Sequence, residues 1–240
     1  MVEELFGRVL ENGMPLIQAN YARAFIDINR EPFELDPDMF AGELPSFANT
    51  KSVRVAGGLG TIARIVADQQ EIYRDKLDIE EGLSRIEHIY HPYHDALRKL
   101  LAKTQAKFGF VLLIDCHSMP SPKGAFYQKP RPDFVIGDRY GTSASADFVH
   151  SSSHILRSLG YHVAINKPYA GGFITEHYGR PDDGLHAIQI EINRGLYMDE
   201  RRMIPNENFH KLCDDLEEFV DRLVISCFEG RESRYSLAAE

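Results

Sequence analysis

Four short apolar runs, at residues 110–114, 133–136, 161–166 and 187–192, are separated from one another by turn residues and helix-period segments. Helical periodicity fills residues 79–107, where Leu83, Ile86, Ile89, Tyr90, Tyr93, Leu97, Leu100 and Leu101 recur at helical spacing around a possible kink at Pro92. It returns over residues 143–159 and again over about 207–228. Strands this apolar must be covered on both faces. A chain that alternates them with helices therefore folds as an α/β sheet with helices on both sides.

The N-terminal part is less regular. Residues 2–12 carry Val2, Leu5, Phe6, Val9 and Leu10 on one helical stripe, with Asn12-Gly13 as the stop. Residues 15–18 and 24–28 read as short strands. Residues 31–50, with Pro32, Pro37, Pro45 and many acids, read as a long loop. The glycine-rich run at residues 55–60 has neither the Gly-Lys-Ser/Thr ending of a phosphate loop nor the GxGxxG pattern, so a tight turn is the expectation. With 240 residues, 43% of them hydrophobic, the chain can build one large core, and a single domain over 1–240 is expected. No run approaches a membrane span, and the acidic start is unlike a signal peptide. The three cysteines, Cys116, Cys213 and Cys227, are widely spaced without a CxxC pair, which fits free thiols in a cytoplasm. A net charge of -9 argues against nucleic acid and leaves room for a small anionic ligand met by a few local arginines. Oligomeric state is open.

Three segments carry groups capable of chemistry. The first apolar run continues into Asp115-Cys116-His117 before Ser118-Met119-Pro120, and strand alternation puts Asp115 and His117 on one side. A histidine there, with a carboxylate two residues earlier, can bind a metal or move a proton; it can equally be a strand-end histidine bonded to a loop. In the last run, Gln189 and Glu191 share one side while Ile188, Ile190 and Ile192 share the other. Burying an acid in so apolar a strand is costly, and either a general base or an arginine ion pair would account for it. Around residues 23–30, Arg23 and Arg30 flank a short strand with Asn29-Arg30 at its exit, and the arginines offer forked donors to a carboxylate or an oxyanion. His88, His91 and His94 recur every three residues and so drift around their helix; of these His94 is expected nearest a site. His177, in a glycine-bounded loop, is a candidate substrate contact. The remaining histidines read as structural or solvated.

Taken together, RAFIDINREP, VAGGLGTIARIV, YHPYHDAL, LLIDCHSMPS, PYAGGFITEHYGRP and GLHAIQIEINRGLYMDE resemble, in order along nearly the whole chain, the N-formylglutamate amidohydrolase (deformylase) family. That family is similar to zinc carboxypeptidases and aspartoacylase-like deacylases, and the resemblance implies a mixed, mostly parallel twisted sheet sandwiched by helices. The resemblance implies a zinc-activated water that attacks the formyl carbon and releases formate and glutamate from an N-acyl amino acid substrate. It matches His117 to a metal-binding histidine and Glu191 to the glutamate that takes the water's proton. Arg23 matches the oxyanion-stabilising arginine, and Asn29 with Arg30 the pair that holds the substrate carboxylate.

Members of that family usually open with a strand, a Pro-His-Ser-Gly loop and an acid, which supply two further zinc ligands. This sequence starts at the following helix, so the expectation is a sheet without its first strand and a weakened metal site. A misplaced start or a shortened paralogue would each account for it. The alternatives to a deformylase are a metal-free carboxylate-binding or inactive paralogue, and a zinc peptidase or cell-wall amidase on the same scaffold.

Overall fold

A computed structural model describes residues 1–66, 69–121 and 132–237, with side chains described through Phe228. Backbone contacts divide the chain into two compact units, one of Met1–Leu16 with Gln105–Glu240 and one of Ile17–Thr104.

The larger unit begins with α1 (Val2–Leu5), and a 3-10 turn over Gly7–Leu10 follows it. The single helix expected over residues 2–12 is thus broken. Glycine weakens a helix interior, and the tighter 3-10 winding puts Phe6 and Val9, three residues apart, on the same side. Both are buried with Leu5, whereas Leu10, expected on the stripe, is left 51% exposed.

The smaller unit carries little regular strand. Residues 24–28 are not a strand, nor are residues 15–18 on the N-terminal segment. Around Ala22 the chain turns, Phe25 and Ile26 both donating their N–H to the Ala22 carbonyl, and Asp27 N–H goes to Thr61 O. A β-pattern without a neighbouring strand gives way to local turns that satisfy the same groups. Residues 31–50 are the expected loop, tied down by buried Leu35, Met39 and Phe40. The loop contains only β1 (Phe40–Ala41) and a 3-10 turn. The glycine-rich run follows α2 (Val53–Ala56), which Ser52 caps by accepting Val55 N–H. It is a packing turn: a Cβ on Gly60 would stand 2.2 Å from Glu34 O. β2 (Leu77–Asp78) pairs in parallel with β1. Then α3 (Ile79–Arg85) leads through one π-helical turn, Ile86–Tyr90, into α4 (His91–Phe108), whose residues through Thr104 belong to this unit. The wide turn sits where Pro92, lacking an N–H, cannot complete the α ladder, so the expected kink is absorbed as a π-bulge.

The larger unit is organised on one sheet. Its strands are β3 (Val111–Met119), β4 (Phe134–Gly137), β5 (Val163–Ile165) and β6 (Leu185–Asn193), in the order β3-β6-β4-β5. β3 pairs with β6 and β4 with β5 in parallel, while β4 runs antiparallel to β6. The helices are α5 (Ala146–Ser158), α6 (Phe173–Tyr178) and α7 (Phe209–Leu237); between the last two, β7 (Met198–Asp199) and β8 (Ile204–Pro205) form a small hairpin.

Ile188, Ile190 and Ile192 are fully buried with Phe134 and Ile136, and Leu112, Ile114 and Cys116 pack at the same core. Over them lie Leu5, Phe6 and Val9 of the N-terminal turns, Val149, Ile155 and Leu156 of α5, and Leu212, Leu216, Phe219, Val220 and Leu223 of α7. Each fully buried isoleucine contributes about 1.5–3 kcal/mol, which locks the strand register because a one-residue slip would turn all three outward. Among the described residues no helix is long and apolar enough to cross a membrane. All three cysteines are free thiols.

Candidate active site

With one face of the sheet committed to the core, the other is left for polar groups. Along β3 that face holds Asp115 and His117; along β6 it holds Gln189 and Glu191. The β3–β6 register pairs Asp115 with Gln189 and His117 with Glu191, so four polar residues form a two-by-two patch. The imidazole Nε2 of His117 lies 2.9 Å from Asp115 Oδ1, with both side chains mostly shielded. A carboxylate in that position favours the Nε2–H tautomer and makes Nδ1 the acceptor nitrogen.

Glu191 is 7% exposed and Gln189 5%. Gln189 Nε2 donates to Glu191 Oε1 at 3.0 Å, and Gln189 Oε1 accepts Gly172 N–H at 2.8 Å. The backbone donor fixes which end of the amide is oxygen, so the NH2 group must point at the glutamate. Gln189 is therefore the side chain that orients Glu191. The alternating pattern placed it correctly, but its link to Gly172 lies in a contact seventeen residues away that no local motif reveals.

β4 supplies the third strand of this face, with Val135 opposite Glu191 and Gly137 opposite Gln189. A Cβ on Gly137 would stand 2.5 Å from the Ala170 carbonyl carbon and 2.6 Å from Gly171 N. The missing side chain thus lets residues 170–172 cross directly over the strand and deliver the Gly172 N–H. α6 starts there and lies against β6 and β3. The segment around His177, expected as a loop, is this helix between glycines. His177 itself is on its exposed side, its ring stacked on Phe173 at 4.9 Å.

Arg23, Asn29 and Arg30 belong to the smaller unit, where a buried acid that sequence reasoning passed over organises them. Asp27, with an 8% exposed side chain, accepts from Arg23 Nη2 at 2.7 Å and from Asn29 N–H at 3.0 Å. Its Oδ2 also lies 3.7 Å from Arg30 Nη2. The 23–27–30 spacing was the available signal. Arg30 further donates to the carbonyls of Leu59 and Asn29, and burial lowers its pKa against the opposing pull of Asp27. Tyr90 Oη donates to Arg30 O at 2.7 Å, and His94 Nε2 lies 2.9 Å from Ile28 O. Buried His94 thus braces the 28–30 turn through its backbone. His88 and His91 stay on the helix surface or half-buried.

A catalytic zinc takes three protein ligands and an open position. Among the described residues no three His, Cys, Asp or Glu side chains are grouped to hold a metal ion. The described donors, His117 included, do not by themselves fit such a site.

The larger unit is a mixed, mostly parallel α/β sheet that sets a histidine–aspartate pair and a buried, oriented glutamate on neighbouring strands, and open α/β sheets carry their chemistry toward the strand ends. The family model for N-formylglutamate amidohydrolase matches residues 1–198, and the chain belongs to that family. It is 30% identical over 203 residues to an N-formylglutamate deformylase of Pseudomonas aeruginosa, covering 83% of this chain and 70% of the relative. It is 29% identical over 202 residues to an N-formylglutamate deformylase of Pseudomonas putida, with the same coverage of 83% and 70%. The crystal structure of an N-formylglutamate amidohydrolase from Ralstonia eutropha superposes with a TM-score of 0.86 at 34% identity, covering 96% of this chain and 83% of that one.

Proposed function

We propose that this chain hydrolyses the amide of N-formyl-L-glutamate or a close N-acyl amino acid. Water adds to the formyl carbon, the C–N bond breaks, and formate and glutamate leave. The observation that carries the reading is the pairing of His117 with Glu191 on one shielded sheet face, in a chain whose relatives are named N-formylglutamate deformylases. Glu191 is the general base that takes the water's proton and returns it to the leaving nitrogen; being mostly buried and held by Gln189, it is oriented for transfer. Arg23 stabilises the oxyanion, Asn29 and Arg30 receive the substrate carboxylate, and His177 contacts the substrate. His117 is proposed as a metal ligand. A zinc ion bound there would supply a more acidic water and a polarised carbonyl. No step is assigned to it, because the described donors number fewer than a catalytic zinc needs.

Formate release from N-formylglutamate, with zinc added, tests the reading. Turnover that disappears in Glu191→Gln is the expected result, and no turnover by the unsubstituted chain at any zinc concentration would overturn it. The same shortage of grouped donors favours a second reading, a carboxylate-binding protein that does not turn substrate over. Calorimetry separates the two: binding of glutamate and formylglutamate without formate release selects the second.

A further inference from the structure

We infer that Asp27 is a positioning residue, which holds Arg23 and Arg30, the groups proposed for the oxyanion and for the substrate carboxylate, as one preorganised pair. The inference rests on the proposed role of those arginines. Asp27 points both carboxylate oxygens inward: Oδ1 accepts the Asn29 N–H, and Oδ2 faces Arg23 Nη2 at 2.7 Å and Arg30 Nη2 at 3.7 Å. Two guanidinium groups sharing one oxygen would otherwise repel each other. Arg23 is 55% exposed along its side chain, and the bond to Asp27 restricts its rotamers. Arg30 is only 18% exposed, and its other donors go to the Leu59 and Asn29 carbonyls, which carry no neutralising charge.

Arg30 also feels Arg54 and Glu34, whose Oε2 lies 3.6 Å from Arg54 Nη1, and the planar guanidinium of Arg30 suits a carboxylate's two oxygens.

This role has a signature that a mere counterion lacks. Asp27→Asn keeps the shape and the acceptor for Asn29 N–H but makes the local charge more positive by one. Electrostatics alone would then tighten anion binding; loss of positioning weakens it. The experiment is calorimetric titration of the full chain with glutamate and N-formylglutamate, alongside thermal melts. Asp27→Asn should weaken binding about tenfold or more, the range of a lost charge-assisted hydrogen bond. In an Arg23→Ala background the same change should cost little further, because the two act as a unit. Unchanged or tighter binding by folded Asp27→Asn overturns the inference. Should that variant fail to fold, Arg23→Lys, which keeps the charge and loses the fork, must weaken binding about fivefold or more; wild-type affinity in it overturns the inference equally. If the unsubstituted chain binds neither ligand and releases no formate, the proposed function has failed and the inference goes with it. If the unsubstituted chain binds and Asp27→Asn does too, only the inference has failed.

Discussion

His117 and Glu191 are register partners across the parallel β3–β6 pair, and their side chains leave the same face of the sheet. The imidazole has Asp115 behind it at 2.9 Å and the carboxylate has Gln189 beside it at 3.0 Å. Each candidate reactive group is thus held by the residue two positions before it on its own strand.

Replacing Glu191 by Gln removes the proton acceptor while keeping size and hydrogen-bonding capacity. Formate release should fall by about 10²–10⁴-fold with an unchanged circular dichroism spectrum and melting curve. A variant that keeps most of its rate would remove Glu191 from the proton-transfer role.

Gln189→Glu sets a second carboxylate where an amide now donates to Glu191. Like charges at that distance disfavour ionisation, so the pKa of the base rises. The acid limb of the kcat/KM profile should move to higher pH, since the base must be ionised to act. An acid limb that stays in place would mean that Gln189 does not govern the catalytic carboxylate.

At Gly137 the test is steric. A Cβ there meets the Ala170 carbonyl carbon at 2.5 Å, and both partners are backbone, so the crossing strand of residues 170–172 must move. Gly137→Ala should cost about 1–3 kcal/mol, a Tm drop of roughly 2–12 °C. It should also slow turnover by loosening the Gly172–Gln189–Glu191 chain. Differential scanning fluorimetry and the formate assay check both.

Cys227, buried in the core against α7's neighbours, has its thiol pushed up from 9.0 to about 11 by burial. The folded state therefore disfavours the thiolate. The stabilisation is fully present below the unfolded value near 9.0 and is lost as pH rises toward 11. The effect is about 2–3 kcal/mol. Cys227→Ser, whose hydroxyl does not ionise there, should flatten that part of the Tm–pH curve.

His117→Ala should lower the zinc retained after dialysis, measured by atomic emission, if His117 is a ligand. Equal zinc in both proteins would assign the histidine to proton chemistry with Asp115 alone.

Period-two alternation through residues 110–117 and 187–192 was enough to assign Asp115 and His117, and Gln189 and Glu191, to one side of their strands, because side-chain direction in a strand follows from local geometry. The helices expected over residues 143–159 and about 207–228 were legible from their helical periodicity, and the structure has them at Ala146–Ser158 and Phe209–Leu237. Only tertiary structure decided that His117 stands opposite Glu191, that β4 runs antiparallel beside β6, and that Gly137 admits residues 170–172 over the polar face. Those are pairings between segments far apart in sequence, chosen by which register buries Ile188, Ile190 and Ile192 together. The same limit explains the misread segment at residues 24–28. Its residues are apolar enough for a strand, but none of the described strands pairs with it. Its groups are satisfied instead by a turn closed through Asp27, whose partners become visible only when Arg23, Asn29 and Arg30 are folded around it.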